Sequence, residues 1–326
     1  MSTLLERRYG VCGNLEPLAT EKDDTFLIRG ESSGYLVKVS PPDEEAMVVA
    51  LQTAAMRFLE GSAPELPVQR VKLTVEGDDH VVVDLRDGGT RILRVFDFVD
   101  GPVLAGTNPD RDQLAKVGEM LGRVDLALAR FAHPADQRIL VWDIRHFHRL
   151  TGLIDHTPSA EHRRLARDVF RLFQDALHPR LGELDMQVIH GDYSPHNVVV
   201  DPHSDDFVTG VIDFGDTVRS AVIFDPAVTM ANLVGRASDD PWRDASAFIA
   251  GYERVRPIRE SELPLLPVAA LARLTLRALI TNWRAERVPA RREYLLAHAK
   301  DDWTNVARAM AAPRDDVVSQ LQEDRS

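Results

Sequence analysis

The chain has 326 residues, of which 44% are apolar, 28% charged and 6% aromatic, and its formal net charge is −12. That length exceeds one average domain of about 150 residues and supplies ample apolar material for a core, so two lobes are expected. The acidic balance argues against nucleic acid or an anionic membrane surface as the main partner, because binding phosphate-rich surfaces calls for a basic face.

The N-terminus MSTLLERRYG lacks the apolar run of a signal peptide, and nowhere do ~20 consecutive apolar residues mark a membrane span. Cys12 is the only cysteine, which excludes an internal disulfide and suits a reducing cytoplasm. TFLIRGESSGYLVKVSPP reads as two strands around a turn from Gly30 to Gly34. On the second strand Tyr35, Val37 and Val39 face one way, and Leu36 and Lys38 the other. Asp43 is expected to cap a helix from about Glu44 to Leu59, with Met47, Leu51, Ala55 and Phe58 as its apolar stripe. VKLTVEG, HVVVDLRDG and TRILRVFDFV read as three more strands.

The Gly and Pro of FVDGPVLAGTNPD then mark a crossover. From about Asp110 a helix is expected, since Leu114, Val117, Leu121, Val124 and Leu128 keep a buried 3-4 spacing, and a second should cover Ala160 to Leu177. In QVIHGDYSPHNVVVD two apolar runs flank a polar break, which predicts a tight strand pair with His190, Asp192 and Asn197 in its loop. VTGVIDFGDT follows, an apolar run ending on Asp213. Helices resume after about Phe224, the strongest being LPVAALARLTLRALITNW. A small β-rich lobe, residues 1–97, thus precedes a large helical one, residues 98–326, in an α+β architecture with a ligand expected between them.

Moving a phosphoryl group from a nucleotide takes a carboxylate to orient the attacking hydroxyl, hard oxygens to hold magnesium, and a cation on the phosphates. Asp192, Asn197 and Asp213 supply the oxygens and Lys38 the cation. Asp192 and Asn197 are five apart and Asp213-Phe214-Gly215 follows, the spacing of the protein-kinase catalytic loop and its Asp-Phe-Gly turn. HGDYSPHN with VIDFGD resembles the aminoglycoside phosphotransferase and choline kinase group, most closely its hydroxylysine-kinase-like branch. EKDDTF, YLVKVS, LQTAAMRFL and VWDIRH add to the resemblance, which covers roughly residues 15 to 300.

The resemblance implies a two-lobed protein-kinase-like fold and a small-molecule kinase. Its acceptor would be a hydroxyl on an amino-bearing metabolite such as hydroxylysine, with homoserine or an aminoglycoside as alternatives. It also implies Asp192 as catalytic base, Asn197 and Asp213 as magnesium ligands, and Lys38 on the phosphates of ATP or GTP. The turn from Glu21 to Phe26, including Asp23, Asp24 and Thr25, would cover the triphosphate. Arg94, Val95, Phe96, Asp97 and Phe98 would form the hinge at the base, with Leu36 against its ring and His190 bracing the loop. Ala54 stands where related kinases carry a helix glutamate, leaving the acid opposite Lys38 unassigned, with Glu44 or Glu45 as candidates.

Asp216 and Asp225 either meet a substrate ammonium or cap the following helix. Arg273, Arg277 and Arg284 share a helix face. They are expected to be solvated, the alternative being that one, such as Arg277, receives a substrate carboxylate against Trp283. His190, Asp192 and His196 could ligate a transition metal in a hydrolase, yet nothing ties the other close pair, His146 and His148, to that loop. A nucleotide-binding pseudokinase is the remaining alternative, although the base, both metal ligands and the lysine are all present.

Overall fold

A computed structural model describes residues 1–20, 22–30, 34–85, 89–289 and 292–324. Glu21 and the tip of the expected turn, residues 31–33, lie outside the described residues. The chain opens with α1 (Ser2–Tyr9), which stops at Gly10, where a φ of 65° provides the left-handed cap. The small lobe then runs β1 (Leu15–Leu18), β2 (Asp24–Arg29), β3 (Gly34–Val39), α2 (Ala46–Ser62), β4 (Val71–Lys72), β5 (Val81–Asp84) and β6 (Thr90–Asp97). The sheet is antiparallel in the order β1-β2-β3-β6-β4, with β5 also on β6.

The alternation expected along β3 sets what each face does. Val37 and Val95, directly opposite each other, join Leu5 and Tyr9 of α1 in a separate core on one face. Burying a side chain of leucine size contributes about 1.5–3 kcal/mol, so Leu5 and Tyr9 together help hold α1 against the sheet. The other face carries the cross-strand pairs Leu36–Phe96 and Lys38–Arg94. α2 differs from expectation in its start and its buried stripe. Glu45 is its N-cap without a side-chain cap bond, so Asp43 does not cap it. Met47 is 48% exposed, and the buried stripe runs instead through Val48, Leu51, Gln52, Ala55 and Leu59.

α3 (Arg111–Leu128) begins at Asp110, as expected, with a reciprocal capping box to Gln113. A stretch of tight three-residue turns, Ile144–His156, leads to α4 (Ala160–Leu172), which widens at its end over Phe173–Leu177. The strand island is not one hairpin. β7 (Met186–Ile189) pairs with β10 (Val218–Ala221), and β8 (Val198–Val200) with β9 (Val208–Val211). The polar break therefore joins two ribbons instead of turning within one.

Helices α5 (Phe224–Leu233), α6 (Arg243–Val255), α7 (Leu266–Arg287), α8 (Arg292–His298), α9 (Asp302–Ala311) and α10 (Arg314–Glu323) complete the chain. α3 and α6 cross at glycines: a Cβ on Gly118 would sit 1.9 Å from the Phe248 carbonyl oxygen, and one on Gly251 1.8 Å from that of Ala115. Among the described residues one segment, Leu263–Arg287, is long and apolar enough to cross a membrane, but its apolar window is 89% buried inside the protein. It is the core helix against which α5 and α9 pack.

Candidate active site

Between β7 and β8 the chain must turn sharply beneath the cleft. Gly191 makes this possible with a φ of 81°, and a Cβ there would lie 2.3 Å from the Asp216 carbonyl oxygen. The turn is held from behind. Asp225, at the start of α5 and 0% exposed, accepts the backbone N–H of His190 at 2.7 Å and of Gly191 at 2.9 Å. The His190 ring bonds the Ile212 carbonyl through Nε2 at 3.1 Å, which leaves Nδ1 to accept the Asp192 N–H at 3.3 Å. With both ring nitrogens engaged, His190 braces the loop and is not a metal ligand.

The Asp192 carboxylate is gripped on both oxygens. Asn197 donates Nδ2 to the Asp192 carbonyl at 2.9 Å and to Oδ2 at 2.8 Å. Arg273 of α7 donates one nitrogen to Oδ1 at 3.0 Å and another to the Trp142 carbonyl at 3.0 Å. Trp142 is itself set by Asp143, whose Oδ1 accepts from Ser220 at 2.6 Å and from the Arg145 N–H at 3.0 Å.

Asp213 lies two residues beyond β9 at φ 61°, a left-handed conformation that non-glycine residues seldom adopt outside functional turns. Its Oδ1 accepts the Gly215 N–H at 3.1 Å and meets Lys38 Nζ at 3.2 Å. Burial pushes this carboxyl up, but Lys38, the Gly215 N–H and His190 outweigh it and hold it below the usual carboxylate range. Ile212, the neighbouring residue, donates its N–H to the Asn197 carbonyl at 3.0 Å, tying the two loops together. With its amide nitrogen spent on Asp192, Asn197 has its oxygen left for a cation, and Asp213 has Oδ2. Two hard oxygens fit magnesium, which completes its shell with water and phosphate. Among the described residues no group of three or more His, Cys, Asp or Glu is placed to hold a metal, and the His190 ring that the hydrolase alternative needs is engaged on both nitrogens.

The roof of the cleft differs from expectation in several places. Arg94 lies inside β6, opposite Lys38, and is no hinge residue. It is 2% exposed and donates to Gln52 Oε1 at 2.8 Å and to Asp23 Oδ2 at 3.4 Å. Gln52 in turn donates to the Gly215 carbonyl at 3.2 Å. Helix α2 thus reaches the Asp-Phe-Gly turn through a neutral amide; Glu44 pairs instead with Lys22, and Ala54 only packs on the core. Val95 faces the far core, and the N–H groups of Asp97 and Phe98 are taken by the Arg70 and Gly34 carbonyls. The chain leaves β6 at Asp97 and runs on to Pro102, whose carbonyl accepts the Val200 N–H. Asp24 is bound to Arg91 at 2.6 Å on the opposite side of β2 from Lys38's partner Thr25. Thr25 is 3% exposed and its hydroxyl is tied to Thr20 at 3.1 Å, so the side chain braces the turn. Leu36 and Phe96 line the roof beside Lys38.

A lysine on the sheet, a braced His-Gly-Asp loop and an Asp-Phe-Gly turn thus face one cleft. The sequence profile of the phosphotransferase enzyme family matches residues 15–260. The chain belongs to the phosphotransferase enzyme family. Hydroxylysine kinase of Mus musculus is 23% identical to it over 331 aligned positions, spanning 94% of this chain and 87% of the relative. The fold is shared with an amicoumacin kinase in complex with AMP-PNP, Ca2+ and Ami, at a TM-score of 0.71, 16% identity, and coverage of 93% of this chain and 91% of that one. A microcompartment-associated aminopropanol kinase gives 0.71, 18%, 99% and 97%. The expected kinase-like α+β fold is thereby confirmed, and the protein is a small-molecule kinase acting on a hydroxyl group.

On the acceptor side of this phosphotransferase the structure keeps some expected residues and removes others. Asp225 is corrected: fully buried and spent on two backbone N–H groups, it cannot meet a substrate. Arg277 is corrected as well, being forked onto Asp302 at 2.6 and 3.0 Å and bonded to Asn232. Trp283 carries Arg287 over its ring at 4.6 Å, a packing role. Asp216 does lie at the site. Burial, then the nearby Asp192 carboxylate, push it up to about 7, against the pull of Arg273 and Arg138. Arg273, treated in the sequence only as one member of an arginine stripe, is the member that touches Asp192.

Proposed function

We propose that this kinase moves the γ-phosphoryl group of ATP or GTP, with magnesium, to the hydroxyl of a small amino-bearing metabolite of the hydroxylysine type. The observation that carries the reading is the Asp192 carboxylate, fixed by Asn197 and Arg273 on the same cleft as the Lys38–Asp213 pair. Asp192 orients the acceptor hydroxyl and takes its proton as the new oxygen–phosphorus bond forms and the bond to the β-phosphate breaks. Lys38 faces the phosphates and offsets their charge. Magnesium held by Asn197 and Asp213 would neutralise charge on the transferring group. Positioning and electrostatics supply most of such catalysis, which fits a site whose polar groups are already locked to one another.

The amino group of the acceptor finds support in Asp216, an acid beside Asp192 that an ammonium ion would drive into its charged form. The name of the mouse relative points the same way. Phosphate transfer from each nucleotide to a panel of hydroxy-amino compounds tests the proposal. Magnesium-dependent product is expected, and its absence with every acceptor would reject the reading.

A further inference from the structure

The turn that carries Asp213 has few bonds of its own. Phe214–Asp216 makes one tight turn, closed by the Gly215 N–H on Asp213 Oδ1 at 3.1 Å and the Thr217 N–H on the Phe214 carbonyl at 3.3 Å. The φ of 61° at Asp213 persists only where the surroundings over-determine the backbone. Arg138 supplies that constraint from outside the turn. It donates Nη2 to the Gly215 carbonyl at 2.6 Å and Nε to the Thr217 carbonyl at 3.0 Å, and so grips both neighbours of Asp216. The Gly215 carbonyl also accepts Gln52 of α2 at 3.2 Å, so a single oxygen holds a donor from each lobe. Arg138 is fixed in its turn. Two residues before it, the Asp136 carboxylate accepts the Arg219 side chain at 2.8 and 3.0 Å, and the Asp136 carbonyl accepts the Arg219 N–H at 2.8 Å. Arg219 belongs to β10, which starts directly after Thr217, so the donor and the turn it grips form one clamped unit. The Asp216 and Glu44 carboxylates partly offset the cost of burying the Arg138 charge.

Resting on the kinase reading above, we infer that Arg138 is a positioning residue for the metal turn, its fork onto Gly215 and Thr217 holding Asp213 in the conformation that presents its carboxylate to magnesium. The role calls for an arginine. Two carbonyls two residues apart need two donors in fixed relative geometry, which a planar guanidinium has and the point charge of a lysine lacks. Arg138 acts here through the backbone and touches no reacting atom. The same fork places Asp216, which lies between the two gripped carbonyls, so loosening it disturbs the metal acid and the acid beside Asp192 together.

The test compares the full wild-type chain with Arg138→Gln and Arg138→Lys. Calorimetric titration with AMP-PNP, with and without magnesium, gives the factor by which the metal tightens nucleotide binding. Both variants should lose about 10-fold of that factor, the range of one charge-assisted hydrogen bond, while affinity for AMP-PNP alone changes little. Thermal midpoints on the same samples confirm that the variants are folded. Should Arg138→Gln fail to fold, Arg138→Lys, which keeps the charge, carries the test alone. A magnesium factor unchanged in Arg138→Gln, or equal to the wild type's in Arg138→Lys, overturns the inference and leaves the kinase reading standing. If the wild type itself shows neither a magnesium factor nor magnesium-dependent phosphate transfer, the metal reading fails first and the inference falls with it.

Discussion

Asp192 stands with one oxygen on an arginine and the other on an asparagine, so its orientation is set by the protein rather than by the substrate. Asp192→Asn keeps the shape and removes the proton acceptor. Turnover should fall by about 10³-fold while nucleotide affinity, read by calorimetry, stays. Retained turnover would take the residue out of its role as base. Gln52 works through others, joining Arg94 to the Gly215 carbonyl. Gln52→Leu leaves a buried guanidinium short of a partner. It should cost about 1–3 kcal/mol in stability and raise the nucleotide KM more than the acceptor KM, a split that steady-state kinetics would reveal. Asp192, Asn197 and Asp213 were legible as one cluster in the sequence because five residues of spacing and one Asp-Phe-Gly turn are local signals. Arg273 and Gln52 were not, since their partners lie 81 and 163 positions away. A glutamine inside the apolar segment LQTAAMRFL was the one available hint.

Helices α3 and α6 approach until each glycine meets the other's backbone, which no larger residue permits. Gly251→Ala should therefore destabilise the protein by at least 1–3 kcal/mol, about the usual cost of overpacking, and lower its thermal midpoint; an unchanged midpoint would show that the helices can separate freely. The long amphipathic elements were readable, α3 to its capping aspartate, because periodicity over many residues averages out exceptions. The strand island was misread as a hairpin because VI and VVV carry no information on their partners. Each ribbon borrows a strand from beyond the loop, with β10 and β9 lying downstream. α1 and β1 passed unnoticed because eight and four residues are too few to establish a period.

Behind the catalytic loop a buried acid pair ties the molecule together. Asp125 of α3 accepts the Tyr252 hydroxyl of α6 at 2.7 Å and lies in the field of Asp225, which holds the loop. Burial, then the Asp225 charge, push Asp125 well above the usual carboxylate range. The folded protein thus keeps a proton that the unfolded chain releases near pH 4, and stability from this group is full below that pH and is lost as pH rises towards the folded value. Asp125→Asn keeps the shape and the acceptor for Tyr252 without a titrating proton. Its thermal midpoint should fall less steeply above about pH 4 than that of the wild type; parallel pH profiles would place the proton elsewhere. The cleft itself has a related property. Lys38 already holds Asp213 at 3.2 Å and Arg94 holds Asp23 at 3.4 Å. On the proposed reading, a nucleotide without its metal must push past Asp213 to reach Lys38, whereas one that arrives with magnesium brings that acid a charge to bind. Free ATP should therefore compete poorly with its magnesium complex, so that the resting ion pair acts as a sieve against the uncomplexed form.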